Sequence, residues 1–150
     1  MNIAENSDKE GEKVLQNDFV SVFYNKAKSL LIIKWKKQVN FEERKEVFMW
    51  GRDFSVKHQV KNWLIDDEEI YMFTQEEIDW VENTWTELAS SAGISKIAVY
   101  TPDRFHTLSA LTGFTLNAQK NYQRHGNTEH EVFTDYQAAL SWLMRDLKSH

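Results

Sequence analysis

Asp66, Asp67, Glu68 and Glu69 form one unbroken run, and these four neighbouring carboxylates are the densest chemistry the chain offers. Such oxygens suit a hard cation or, where burial lifts one pKa, general acid–base work. Calcium and magnesium loops alternate their ligands around a turn glycine, and this run does neither. The default expectation is a solvated acidic loop. The five histidines, at 58, 106, 125, 130 and 150, make no His-x-His or His-x-x-x-His pair, so no zinc site is expected. Thr107, Ser109, Thr112 and Thr115 contain no nucleophile elbow, and no glycine run could cradle a phosphate. The residues therefore assign no catalytic group, no metal and no cofactor.

Something must carry that acidic run. Val60, Trp63, Leu64 and Ile65 form a short apolar stretch that stops at Asp66, as a strand buried on both faces would. Flanking helical patterns make it a central parallel strand. Ligand crevices in open α/β sheets lie beyond the carboxyl ends of such strands, which directs attention to residues 66–74. Thr74-Gln75-Glu76-Glu77 has the form of a capping box and starts a helix. Its apolar stripe is Ile78, Val81, Trp85, Leu88 and Ala92, and Gly93 ends it.

Upstream, Asp18–Tyr24 and Leu30–Lys37 are rich in β-branched and aromatic residues, and five polar or small residues separate them, which predicts an antiparallel hairpin. Phe41, Val47, Trp50 and Phe54 then mark an amphipathic helix, with Glu42, Glu43, Arg44, Lys45 and Glu46 on its solvated side and Gly51 within it. Downstream, Ile94–Tyr100 is the next parallel strand and Asp103–Asn121 a helix that Gly113 could break. Asn121–Asn127 reads as a polar loop and Glu129–Phe133 as an edge strand. Thr134 with Gln137 offers a second capping box before the stripe Tyr136, Ala139, Leu140, Leu143 and Leu147. Residues 1–16 read as a disordered polar tail. A single α/β domain is expected over 17–150, with a mixed, mainly parallel sheet in the order β-β-α-β-α-β-α-β-α.

Composition narrows the function classes. A chain of 150 residues that is 41% hydrophobic can build one core without staples, and zero cysteines exclude disulfides and thiol chemistry. A net charge of -5 disfavours nucleic acid. The polar amino-terminal stretch is unlike a signal peptide, and no run approaches the roughly 20 apolar residues of a membrane span. A cytoplasmic protein without membrane insertion is expected.

Trp35 at the end of the second strand, the phrase Val60-Lys61-Asn62-Trp63-Leu64-Ile65-Asp66, the helix with Trp80 and Trp85, the strand Lys96-Ile97-Ala98-Val99 and the ending from Phe133 through Ala138-Ala139-Leu140-Ser141-Trp142-Leu143 together resemble the SpoIIAA-like, or STAS-like, domains of bacteria. The resemblance covers about Val20 to Leu143. It implies a STAS-type fold, in whose anti-sigma-factor antagonists a serine following a strand-end Asp is phosphorylated by a partner kinase. Here Asp66 is followed by Asp67, so the phospho-serine switch is not carried over.

Two functions are expected from these residues. One is a non-enzymatic regulatory or protein-interaction domain, most simply a homodimer. It would use the strand-end residues Asp66, Asp67, Glu68 and Thr74 together with Trp80 and Phe114, aromatics that fall off their helices' buried stripes. The alternative is a binding module for a lipid or other apolar small molecule in an aromatic-lined crevice.

Overall fold

A computed structural model of the chain describes residues 11–102 and 105–145, with side chains throughout except for residues 105–114. Among the described residues six strands lie side by side in sequential order: β1 (Glu12–Gln16), β2 (Val20–Asn25), β3 (Leu30–Trp35), β4 (Asn62–Asp66), β5 (Lys96–Tyr100) and β6 (Glu129–Phe133). The first three pair antiparallel, and β3 through β6 pair parallel. The expected hairpin is β2–β3, and β4 is buried along its whole length between parallel neighbours.

The first correction concerns residues 12–16, read as tail. They form β1, whose register on β2 shifts between Lys13 and Leu15, an irregularity of the kind that blunts an edge strand. At the opposite edge, Gln119 and Gln123 donate to the carbonyls of His130 and Thr128 at 2.7 and 2.8 Å, so side chains occupy acceptors near β6.

The helices are α1 (Phe41–His58), α2 (Gln75–Trp80), α3 (Thr86–Ser91), α4 (Phe105–His125) and α5 (Tyr136–Met144). A π-helical segment, Val81–Trp85, joins α2 to α3. None of the described helices is long and apolar enough to cross a membrane. Helix α4 runs unbroken through Gly113 to His125, into the stretch expected as a loop. Helix α5 is capped by Asp135, whose carboxylate accepts from Ala138 N–H at 3.2 Å, and not by Thr134. The side chains of Phe105, Leu108, Leu111 and Thr112, and all of Leu147, lie outside the described residues.

One sheet face carries the larger core, in which Val22, Leu31, Ile33, Trp63, Ile65 and Ile97 meet Phe48 from α1, Trp85 from the π segment and Tyr122 from α4. Leu30, Ile32, Leu64 and Ala98 pack on the other face against Ala139 and Leu143 of α5. Helix α1 buries Val47 and packs Trp50 and Phe54 partly against the core, as expected, but its fully buried stripe takes in further residues. Arg44, Val47, Phe48, Gly51 and Ser55 face inward, and Arg44 leaves the solvated set to become 2% exposed.

Gly51 is needed for contact and not for flexibility. A Cβ there would stand 2.8 Å from Trp63 Cη2, and the Trp63 indole is held by its N–H bond to Ser55 Oγ at 2.9 Å. Gly51→Ala should therefore destabilise by about 1–3 kcal/mol through overpacking, although alanine is the better helix former by about 1 kcal/mol. Urea unfolding checks this; an unchanged or raised midpoint would show that the indole can give way.

Candidate functional site

The parallel register sets Ile65 beside Val99 and Val99 beside Val132, with Ile97 beside His130 one step earlier on the same face. Above this floor, three helical elements stop short of closing. The gap is a cavity of about 60 Å³, lined by these residues and by Asp67, Arg44, Trp85 and Tyr122, with Phe73 from the loop after β4.

Arg44 holds the polar end. Its Nε donates to Glu77 Oε2 at 2.9 Å, and both side chains are 2% exposed. The guanidinium carbon lies 4.6 Å from the Phe73 ring centroid and 5.3 Å from that of Trp35, an aromatic clamp that suits a planar cation. Glu77 also closes the expected capping box. Its Oε1 accepts from Thr74 N–H at 2.9 Å, while Thr74 Oγ1 accepts from Glu77 N–H at 3.1 Å. One carboxylate thus both starts a helix and neutralises a buried arginine.

Asp67 lies beside this pair. The expectation of a solvated acidic loop is corrected here, because Asp66 and Asp67 are only 3% and 5% exposed. Backbone bonds fix the turn, Asp67 N–H to Tyr100 O at 2.8 Å and Ile70 N–H to Asp67 O at 2.9 Å. Asp66 Oδ1 accepts from Glu68 N–H at 3.0 Å. Burial pushes the Asp67 carboxyl from 3.8 up to about 6; Asp66 and Glu77 add to the rise, while Arg44 and, more weakly, the nearby Trp35 N–H, which closes no hydrogen bond, oppose it. At neutral pH Asp67 is a buried anion.

Residues that line this cavity keep sealed polar atoms outside any hydrogen bond of good geometry: Asp67 Oδ1, Arg44 Nη2, His130 Nδ1 and Trp85 Nε1, the last lying near the Tyr122 side chain. Folded proteins rarely leave buried groups so, since each costs about 1–3 kcal/mol. Burial lowers His130 to about 4, so its imidazole is neutral at physiological pH, and its ring stacks on Tyr122 at 5.3 Å.

The π segment explains the aromatic wall. Its Thr86 N–H bonds to Val81 O, five residues back, and this wider turn brings residues five apart into line. Trp80 and Trp85 accordingly stack at 6.1 Å with 24° between their planes. Trp80 also lies 6.0 Å from Phe41 and 6.2 Å from Phe48. It is thus packed at the edge of the core. Of the other expected site residues, Thr74 is an exposed cap and Glu68 is exposed, and Phe114 lies on α4 with its side chain outside the described residues. The structure brings Asp67 to the cavity and not Trp80, Thr74 or Glu68. Arg44, Glu77, Tyr122 and His130 were missed by sequence reasoning. For Arg44 a signal existed, because it precedes Val47, Phe48 and Gly51 at helical spacing.

The loop bearing Phe73 is held from outside. The Gln38 amide oxygen accepts from Tyr71 and Met72 N–H at 2.7 and 3.2 Å, and its nitrogen donates to Met72 O at 3.0 Å. Gln38→Ala should raise amide exchange at Tyr71 and Met72 by tenfold or more, equivalent to about 1.4 kcal/mol of local stability, and leave β4 amides unchanged. Native-state hydrogen exchange reads both; equal protection in the variant would mean that the loop holds itself.

Among the described residues no group of three His, Cys, Asp or Glu side chains could hold a metal ion. Comparison of the chain with family models, curated proteins and solved structures gave no match.

Proposed function

We propose that the domain is a binding module for a small molecule taken into the cavity above β4, β5 and β6, the second of the two functions expected from the sequence. The observation that carries this reading is a largely apolar, aromatic-walled space into whose lining the fold brings the polar residues Arg44, Asp67, Tyr122 and His130. That composition is typical of ligand pockets, in which a few placed polar groups orient a mostly apolar molecule. A volume near 60 Å³ is well below the roughly 150 Å³ that accepts a benzene ring. The ligand is therefore a molecule of a few heavy atoms, or the small end of a larger one whose remainder passes Phe73, and not an enclosed acyl chain.

The sequential strand order and the helical crossovers between parallel neighbours support a STAS-like assignment of the fold within this proposal. A regulatory role through a second copy or another protein is the second reading. Tyr71 and Met72, 58% and 62% exposed on the loop that closes the cavity, favour it. Light scattering of the natural chain and of a Tyr71→Ala/Met72→Ala variant separates the two, since a monomer in both cases removes the self-association form.

The direct test of the cavity reading uses the indole N–H signals of the full chain in NMR. Short-chain polar molecules should shift the Trp85 signal, on the cavity wall, and spare Trp142, which packs on the opposite sheet face. Equal shifts at both, or none at Trp85, would overturn it.

A further inference from the structure

The cavity has one sealed end and one end near solvent. Trp85, Ile97, Ala118 and Tyr122 in its lining are at most 2% exposed, whereas Phe73, Val99, Thr115 and Val132 are half-buried. Lower on β6 the side is closed by α4, because Gln119 and Gln123 bond to the carbonyls of His130 and Thr128. The mouth therefore lies toward the carboxyl ends of β5 and β6, with Phe73 beside it. From this geometry we infer that residues 71–73 are a lid on the cavity, latched by Gln38, and that a ligand enters and leaves when the latch releases. The inference rests on the cavity reading and adds its route of access.

The segment stands between two anchors. Ile70 is 1% exposed and its N–H bonds to Asp67 O, while Thr74 is fixed by its capping box to Glu77. The three residues between them belong to no helix or strand, and Tyr71 and Met72 already face solvent. An outward swing therefore gives up little covered apolar surface from those two side chains, and short segments of this kind, hinged at fixed ends, are what enzymes and binding proteins use as lids. Contacts on both sides hold the closed position. Within, the Phe73 ring lies over the Arg44 guanidinium; without, the Gln38 amide reaches from the β3–α1 connection to Tyr71 N–H, Met72 N–H and Met72 O. The arginine does not depend on the lid, since Glu77 and the Trp35 ring hold it as well. Hydrogen bonds near solvent are the ones that open most readily, which makes the Gln38 amide the latch.

Dissolved xenon, which enters apolar protein cavities, is the probe. Its affinity for the full chain is read from the Trp85 indole signal, and its rates of entry and exit from exchange broadening of the xenon resonance. Gln38→Ala should raise both rates together by ~tenfold and leave the affinity within ~twofold, because a latch sets how often the lid opens and not what the closed cavity touches. Gln38→Glu, whose carboxylate still accepts from the two N–H groups but cannot donate to Met72 O, should fall between the alanine variant and the natural chain. If xenon leaves the Trp85 signal of the natural chain unmoved, the cavity reading fails and the lid with it. If xenon binds and neither variant alters its exchange, the lid is overturned while the cavity reading stands. A fall in affinity, with exit alone accelerated, would make the loop a fixed wall and also overturn it. Should the alanine variant not fold, faster exchange in the glutamate variant supports the latch and unchanged exchange rejects it.

Discussion

Asp67→Asn is expected to make the protein more stable at neutral pH, by about 3 kcal/mol at most, because ionisation of this carboxylate opposes folding. Its folded pKa of about 6 exceeds the ordinary 3.8, so the folded chain holds the proton more tightly than the unfolded one. The contribution to stability is greatest below pH 3.8, declines as pH rises through the interval up to about 6, and stays low above it. A shift of roughly two pH units corresponds to about 3 kcal/mol. Asparagine cannot ionise and escapes the loss. Urea unfolding of both proteins between about pH 4 and 8 should show curves that nearly coincide at the acid end and separate toward neutrality. A separation that does not change with pH would contradict a buried, titrating Asp67. A chain that keeps a destabilising anion beside a cavity accords with binding sites trading stability for function.

Arg44→Met is expected to have the opposite and larger effect, a loss of about 3–5 kcal/mol. Methionine keeps an apolar stem between Trp35 and Phe73, but Glu77 and Asp67 lose the cation that balances them. The Asp67 pKa should rise further, because Arg44 is one of the groups that lowers it. The double variant Arg44→Met/Glu77→Gln should recover the part of the loss that comes from Glu77, and leave the part that comes from Asp67. Glutamine has a side-chain oxygen that can still accept from Thr74 N–H, and no buried charge then stands uncompensated at that pair. A double-mutant cycle measured by urea unfolding decides the matter. Additive losses would mean that the ion pair contributes through packing alone.

Periodicity and local chemistry determined much of this fold. The β-branched runs, the hairpin, the apolar stretch ending at Asp66 and the Thr74–Glu77 capping box each depend on residues close in sequence, and each is found in the structure, the hairpin with its connection shortened by one residue because Asn25 pairs within β2. The site depended on what lies across the chain. Glu12-Lys13-Val14-Leu15-Gln16 is as polar as a tail, and only its pairing with β2 makes it a strand. The Trp80–Trp85 stack needs a π turn, which no side-chain period announces. Asp67 reads as solvated beside three other acids, yet Tyr100 and the loop after β4 draw it inward, where Arg44 from a helix some twenty residues earlier offsets its charge. Burial of a charge is decided by distant partners that compensate its desolvation, and sequence-local patterns cannot supply that information. The sequence therefore determined where the central strand ends and which loop leaves it, while tertiary packing decided that Asp66 and Asp67 turn inward and that Asp67 comes under the influence of a buried arginine.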